Sequence, residues 1–257
     1  MTCHQRGEPL GGRSVGLLAT MLLVVVAGCT SDAIQWDDPT YAGPPGPTVT
    51  IERGESIPAS ACEASVRTAR SASTLFGAWW ELRSNGSATL VFARMDSSGR
   101  GTRVVADSAD RSARDCGRTA PAIAVSRSGR VHLAYFAEPA QGAGIFYVHS
   151  IDNGLTFHSP IAVVFGDKPA AVSVAEDGDN VAVAYEDPNS ERSAVGVALS
   201  RTMGHIFSIK DAASPPSSRA TLPMVRIEGH LVRVWWSERS PIPTASATRT
   251  VYREGHW

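Results

Sequence analysis

The feature that most constrains the fold of this 257-residue chain is a repeat of about 50 residues. Three copies open with the segments Pro121 to Phe136, Pro169 to Tyr185 and Leu222 to Trp236, and a weaker copy ends at Trp80. Each contains a β-branched run, a polar turn with glycine and a second run that ends in aromatic residues, which is typical of a β-hairpin. The chain is therefore expected to be built from repeated antiparallel units.

A second feature, a glycine, recurs at the same position in each repeat. About 20 residues after each aromatic end comes a glycine that follows a third apolar run. These glycines are Gly99, Gly154, Gly204 and Gly255. A third run in every copy leaves room for a fourth strand, and radial repetition of four-stranded units is the propeller solution to exposed sheet edges. The prediction is an all-β fold, a β-propeller of about four four-stranded antiparallel blades over residues 48–257.

One of these turns carries a recognisable motif. The matching positions are Ser150, Asp152, Gly154, Thr156 and Phe157. They resemble in full the Asp-box of the sialidase-like, or BNR-repeat, β-propellers, and Ser200 to Phe207 retains the serine, glycine and phenylalanine. The resemblance implies a structural box, in which the aspartate accepts backbone hydrogen bonds, glycine takes a positive φ and the aromatic fills the blade core.

The last unit stops at Trp257, so its fourth strand must come from elsewhere. The alternating segment Thr48 to Glu52 precedes the first unit and is one candidate for this closing strand. A half-propeller that pairs with another copy is the alternative, and the oligomeric state stays open. Sialidases have six blades, so the blade number departs from that family.

The N-terminus has the three-part form of an export signal, with arginines followed by an apolar run from Val15 to Ala27 that is too short to span a bilayer. Its end, Val26 to Cys29, resembles the lipobox of bacterial lipoproteins. We therefore predict a lipoprotein signal peptide at 1–28, a lipid on Cys29 and a Pro/Gly-rich tether over 29–47. The alternative is an ordinary signal peptide with a chance cysteine.

Export has consequences for partners and for the remaining cysteines. The expected location is extracytoplasmic, with the lipid on Cys29 holding the protein to a cell-envelope membrane. Cys62 and Cys116 are predicted to form a disulfide there, the alternative being two buried thiols. With 24 basic and 25 acidic residues, the chain lacks the positive surface that nucleic-acid binding requires.

Candidate binding residues follow from strand direction. In an antiparallel four-stranded unit, the start of strand one and the end of strand two share a face, and a carboxylate follows each aromatic strand end there. These predicted ligand-binding residues are Glu81, Glu138, Glu186, Asp187 and Glu238. A ring of acids could bind a cation or sugar hydroxyls, whereas the alternative is ordinary solvated loop carboxylates. The nearby Trp and Tyr residues are expected to pack in the core.

The seven histidines show no metal-ligand spacing, so no metal or other cofactor is predicted.

The resemblance to sialidases also implies an arginine triad and a tyrosine nucleophile. The early family motif Arg-Ile-Pro is replaced by Ser56-Ile57-Pro58, which lacks the arginine. Arginines that occupy comparable places in the repeats are Arg67, Arg127 and Arg226, and the tyrosine candidate is Tyr252 with Glu254. No motif assigns the arginines to a triad, and the tyrosine lies on an unexpected strand pair.

The sequence thus favours a membrane-anchored extracytoplasmic lipoprotein whose sialidase-like propeller is a non-catalytic scaffold that binds a glycan or an envelope protein. The alternative is an exo-sialidase-type glycoside hydrolase. A third hypothesis, a decaying paralogue, rests on the eroded boxes. The catalytic residues, the ligand and the choice of inner or outer membrane are not specified by the sequence.

Overall fold

The computed structural model describes residues 33–41, 43–47, 57–98, 100–239 and 248–257. They belong to a compact unit that spans 32–257. The predicted leader 1–28 and Cys29 lie outside the described residues. In the part that is described, the regular structure is β apart from a short 3-10 helix at Glu63–Ser65. No described helix is long and apolar enough to cross a bilayer.

Among the described residues, sixteen strands form four antiparallel four-stranded sheets, as predicted, and each sheet is one blade. Blade 1 contains β2 (Arg67–Ser71), β3 (Thr74–Leu82), β4 (Ala88–Met95) and β5 (Gly101–Asp107). Blade 2 contains β6 (Ala122–Val125), β7 (Val131–Ala137), β8 (Gly144–Ser150) and β9 (Ile161–Phe165). Blade 3 contains β10 (Val172–Asp177), β11 (Asn180–Glu186), β12 (Val195–Ser200) and β13 (Ile209–Ala212). Blade 4 contains β14 (Ala220–Glu228), β15 (Leu231–Arg239), β16 (Thr248–His256) and β1 (Gln35–Trp36).

The second and third strands of blades 2 and 3 are apolar on both faces because each of these blades packs between two neighbours. All seven residues of β7 and all seven of β8 are buried, for example. Hydrophobic clusters join blade 1 to blade 2, blade 2 to blade 3 and blade 3 to blade 4. The aromatic strand ends belong to this core, as predicted. They are Trp79, Trp80, Tyr135, Phe136, Trp235 and Trp236, each no more than 5% exposed.

The first strands of all four blades line one central cavity of about 340 Å³. Its walls include Thr68, Ala122, Ser173 and Met224, one residue from each blade. This arrangement places the four blades around a common axis, which is the defining geometry of a propeller.

The closing strand differs from the prediction. The outermost position of blade 4 is taken by Gln35–Trp36, which pairs antiparallel with β16, whereas Thr48 to Glu52 lies outside the described residues. Trp36 Nε1 also donates a hydrogen bond to Asp211 of blade 3 at 3.1 Å. The N-terminal segment therefore completes the last blade, but from a position within the predicted tether.

The described part of the predicted tether lies against blade 4. Trp235 Nε1 donates to the carbonyl oxygen of Pro44 at 2.8 Å, and Arg249 stacks on Tyr41 with its guanidinium 3.7 Å from the ring centroid. Farther along, Pro47 lines the central cavity. The segment thus runs from the outer edge of blade 4 to the axis, so the propeller begins well before the predicted boundary at residue 48.

Strand direction defines two faces of the ring. The loop face carries the connections between blades and those between second and third strands, and the turn face carries the tight turns before second and fourth strands. On the loop face, Cys62 and Cys116 form the predicted disulfide. This bond links the segment before blade 1 to the connection between blades 1 and 2.

Candidate functional site

A polar groove of about 470 Å³ lies on the loop face between blades 1 and 2. Its walls come from the β3–β4 loop, from the connection between the two blades and from the β7–β8 loop. The lining side chains include Arg83, Asn85, Ser108, Arg111 and Gln141. Guanidinium, amide and hydroxyl groups of this kind donate and accept hydrogen bonds with sugar hydroxyls. The groove is therefore the candidate ligand site.

The floor of the groove is organised by a buried ion pair. Arg118 and Asp110 each have side chains only 3% exposed, and Arg118 Nη2 donates to Asp110 Oδ2 at 2.9 Å. The same guanidinium donates to the carbonyl oxygens of Ser112 at 2.6 Å and Gly86 at 3.2 Å. Because one guanidinium ties the interblade connection to the β3–β4 loop, both walls are held in fixed positions.

A second buried contact fixes the same connection to blade 2. The Tyr135 hydroxyl donates to Asp107 Oδ2 at 2.7 Å, and the backbone N–H of Ala109 donates to Asp107 Oδ1 at 2.9 Å. Burial, followed by the charge of Asp107, raises the pKa of Tyr135 well above its usual value. The phenol is consequently a permanent donor that anchors this connection.

The predicted carboxylates of blades 1 and 2 are occupied by structural partners. Glu81 accepts a hydrogen bond from Trp79 Nε1 at 2.9 Å and pairs with Arg103 at 3.2 Å. Glu138 accepts a hydrogen bond from Arg114 Nε at 3.0 Å. Each of these carboxylates is thus paired with an arginine from another segment, β5 for Glu81 and the connection between blades 1 and 2 for Glu138.

The carboxylates of blades 3 and 4 are used in the same way. Glu186 accepts a hydrogen bond from the backbone N–H of Leu222 at 2.9 Å, which joins blade 3 to blade 4. Asp187 accepts one from the backbone N–H two residues later at 2.9 Å, and Glu238 lies 3.4 Å from Arg249. The five carboxylates do lie at the ends of second strands, but their contacts are structural ones that brace the loop face.

The arginines suggested by the sialidase resemblance lie at different levels of the ring. Arg67 begins β2, whereas Arg127 follows β6 on the turn face. Ser71, at the end of β2, donates to the carbonyl oxygen of Ser126, so these two residues lie at the same level. Arg67 lies four residues before Ser71 and Arg127 one residue after Ser126, so the two arginines are about five positions, or roughly 16 Å, apart along the strands. Arg226 instead stacks over Trp235 at 6.0 Å. These side chains do not converge on one substrate group.

The tyrosine candidate lies on β16 beneath the N-terminal segment. The Tyr252 hydroxyl donates to Glu254 at 2.5 Å, and Arg233 Nε donates to the same carboxylate at 2.8 Å. Burial and the Glu254 hydrogen bond raise the pKa of Tyr252 to about 12. A nucleophilic phenol needs a lowered pKa instead. The backbone of Tyr252 also pairs with Thr40 of the N-terminal segment through an isolated β-bridge.

The motif turn after β8 is closed by its aspartate. Asp152 Oδ1 accepts two backbone hydrogen bonds at 3.0 Å, and Thr156 Oγ1 donates to Oδ2 at 2.6 Å. Hydrogen bonds from Ser150 and Thr156 hold the pKa of Asp152 well below its usual range. The Phe157 ring packs edge-on against Phe92 of blade 1, with centroids 5.2 Å apart. This turn therefore stabilises the junction between two blades.

Potential metal ligands are grouped elsewhere. Among the described residues, a single group of at least three His, Cys, Asp or Glu side chains brings its ligand atoms together, and it consists of His149, His158 and His205. These residues belong to the turn face, opposite the groove. The group is not visible in the sequence, because the three positions show no metal-ligand spacing.

Comparison with solved structures identifies the architecture. The α-L-arabinanase of Penicillium chrysogenum is similar, with 14% identity, a TM-score of 0.52 and coverage of 80% of this chain and 67% of that one. The GH93 α-L-arabinofuranosidase of Fusarium graminearum has 14% identity, a TM-score of 0.51 and coverage of 77% and 64%. The chain folds as a β-propeller of the type found in these two enzymes. The prediction of a propeller is confirmed.

The propeller is also similar to a Hadza microbial sialidase, with 17% identity, a TM-score of 0.48 and coverage of 72% of this chain. It spans 43% of the length of that sialidase. No family model matches the sequence, and no match to a curated protein was found.

Proposed function

We propose that the chain is an exported lipoprotein, anchored by lipid on Cys29, whose propeller binds a glycan in the groove between blades 1 and 2 without cleaving it. The observation that carries this proposal is the preorganised groove itself. Its polar side chains lie on walls that Arg118 and Asp107 hold in place, so little conformational entropy is lost when a ligand binds.

The composition of the groove supports binding rather than hydrolysis. A glycosidase of the common types needs two carboxyl groups about 5 to 9.5 Å apart on either side of the scissile bond. The lining acid, Asp110, is buried and paired with Arg118, which leaves it unsuited to protonate or attack a sugar. Arg111, one of the two lining arginines, is exposed and suits an acidic or hydroxyl-rich ligand.

Binding is tested with the purified full chain against a panel of immobilised cell-envelope polysaccharides and sialylated glycans. Arg111→Ala and Gln141→Ala should each weaken binding at least about tenfold, since a lost hydrogen bond to a charged or buried partner is worth about 1.5 kcal/mol or more. Arg127→Ala removes another exposed arginine, on the turn face, and should leave affinity unchanged. Equal effects of all three substitutions would contradict the proposal.

The hydrolase alternative is tested with the same protein and a fluorogenic sialoside. The contact of Tyr252 with Glu254 and Arg233 is the feature that favours it. Turnover that disappears in Tyr252→Phe would replace the binding proposal with a sialidase-type activity, whereas the raised pKa of Tyr252 leads us to expect no turnover.

The anchor is tested separately. Metabolic labelling with a radioactive fatty acid should mark the wild-type protein and leave Cys29→Ser unlabelled, and the variant should leave the membrane fraction. Membrane retention of the unlabelled variant would show that another segment holds the protein.

A further inference from the structure

Three histidines from two blades meet on the turn face of the propeller. His149 lies near the end of β8, His158 follows the motif turn of blade 2, and His205 lies in the corresponding turn of blade 3. Their ligand nitrogens all lie within 4.8 Å of one another. The ring centroid of His149 is 4.3 Å from that of His158 and 4.6 Å from that of His205.

His149 is buried with no partner for either nitrogen. The residue is 1% exposed, and neither Nδ1 nor Nε2 makes a hydrogen bond within the described structure. Buried polar groups are normally paired, so an imidazole of this kind calls for an explanation.

The other two histidines complete the geometry from the solvent side. His205 Nδ1 lies 2.6 Å from the carbonyl oxygen of Thr202, so Nδ1 carries the proton and Nε2 presents its lone pair. A backbone carbonyl in this role orients metal-binding histidines in many proteins. His158 is exposed, and its backbone N–H donates to the carbonyl of His149 at 2.9 Å, which keeps the two residues adjacent.

Groups around the cluster make contacts elsewhere, although His132 Nε2, like both nitrogens of His149, has no hydrogen-bond partner in the described structure. His132 Nδ1 lies 2.5 Å from the Tyr147 hydroxyl, which donates to the carbonyl of Met203 at 3.0 Å. Arg130, the nearby cation, pairs with Asp179 at 3.0 Å. The three-histidine group is thus distinct from the hydrogen-bonded pair beneath it.

We propose that His149, His158 and His205 bind a divalent first-row transition metal, with Zn²⁺ as the representative ion, and that this ion links blade 2 to blade 3. Imidazole ligands suit zinc, copper and nickel, whereas magnesium and calcium prefer oxygen. Tetrahedral zinc with Zn–N bonds of about 2.0–2.1 Å needs ligand nitrogens about 3.3 Å apart. The ligand nitrogens here lie within 4.8 Å of one another, so the two exposed side chains must rotate to bring them to that separation, and three protein ligands leave the fourth position to water.

The test uses the purified full chain after treatment with a chelator. Titration with Co²⁺, followed by its visible absorption, should show one tetrahedral site per chain, and Zn²⁺ should displace the cobalt whereas Mg²⁺ should not. His158→Ala and His205→Ala remove exposed side chains and should each weaken Zn²⁺ binding at least about tenfold in calorimetry, since even loss of a supporting outer ligand costs that much.

His256→Ala is the matched control, because His256 is an exposed histidine on β16 outside the group. It should bind Zn²⁺ as the wild type does. The melting temperature should rise with Zn²⁺ in the wild type and the control, but not in the two ligand variants. Absence of a cobalt spectrum, or equal binding in all three variants, would overturn the proposal. Either result leaves the glycan proposal untouched, since the groove lies on the opposite face.

Discussion

Replacing Gly154 by alanine should destabilise the propeller much more than replacing Gly178 by alanine, although both glycines have left-handed backbones. Their φ values are +81° and +65°. An added Cβ at Gly154 would lie 2.0 Å from Cε1 of Phe92, whereas at Gly178 it would meet no atom within 4 Å. Phe92 is fully buried and packs against Phe76 and Phe157, so its ring has little room to move away.

The expected magnitudes follow from two separate costs. A left-handed conformation costs an L-residue about 1–2 kcal/mol, which is the whole effect expected for Gly178→Ala. Overpacking a filled core adds about 1–3 kcal/mol, so Gly154→Ala should lose about 2–5 kcal/mol. Urea unfolding followed by tryptophan fluorescence measures both values. A Phe92→Leu background should recover part of the Gly154→Ala loss, and equal losses for the two glycine variants would refute the steric argument.

Three further substitutions probe the closing segment, the groove floor and the motif turn, each by urea unfolding. Trp36→Ala should cost about 2 kcal/mol, less than for a fully buried tryptophan, and an unchanged stability would show that β1 contributes nothing to closure. Arg118→Met leaves the buried carboxylate of Asp110 unpaired and should cost about 3–5 kcal/mol of stability. Its control, Arg114→Met, removes a more exposed ion pair and should cost about 1 kcal/mol or less. Similar losses would contradict a special role of the buried pair in stability. Because folding lowers the pKa of Asp152, its carboxylate stabilises the fold above the pKa of the unfolded chain, about 3.9, and this contribution is lost as the pH falls below that value. Asp152→Asn should therefore lose less stability than the wild type on acidification. Identical pH profiles would contradict this.

The repeat predicted the blades because its physical cause is local. Hairpins, turn glycines and apolar second and third strands follow from neighbouring residues. The aromatic strand ends and the glycines about 20 residues after them recur together four times, which is enough to count four units. The closing strand was misplaced because Gln35–Trp36 is only two residues long and lies in a Pro/Gly-rich stretch, where no alternation is visible. The repeat presents Gly255 as a turn glycine, but it lies within β16, and a Cβ there would lie 2.5 Å from Ile34 and 2.7 Å from Trp36, where the N-terminal segment approaches this strand.

The site was less predictable than the blades. Strand direction correctly placed the carboxylates at the ends of second strands, but the partners that occupy them, such as Arg103 for Glu81, come from other strands. The histidine group depends on the packing of blade 2 against blade 3, so His149 and His205 look isolated in the sequence. Residue spacing reports contacts within a turn or a helix, and it contains no information about which turns of successive blades meet.

The closing segment gives the proposed anchor an orientation. The chain between Cys29 and Gln35 can span at most about 20 Å, so a lipid on Cys29 would hold the outer edge of blade 4 close to the membrane. The groove lies between blades 1 and 2, across the ring from that edge, and would face away from the lipid, where a glycan can reach it. In vesicles that contain a quenching lipid, a dye attached at Asp37→Cys should be quenched, and one attached at Arg111→Cys should not. Stronger quenching at position 111 would mean that the groove faces the membrane, and a lipid-anchored glycan receptor with this orientation would have to be abandoned.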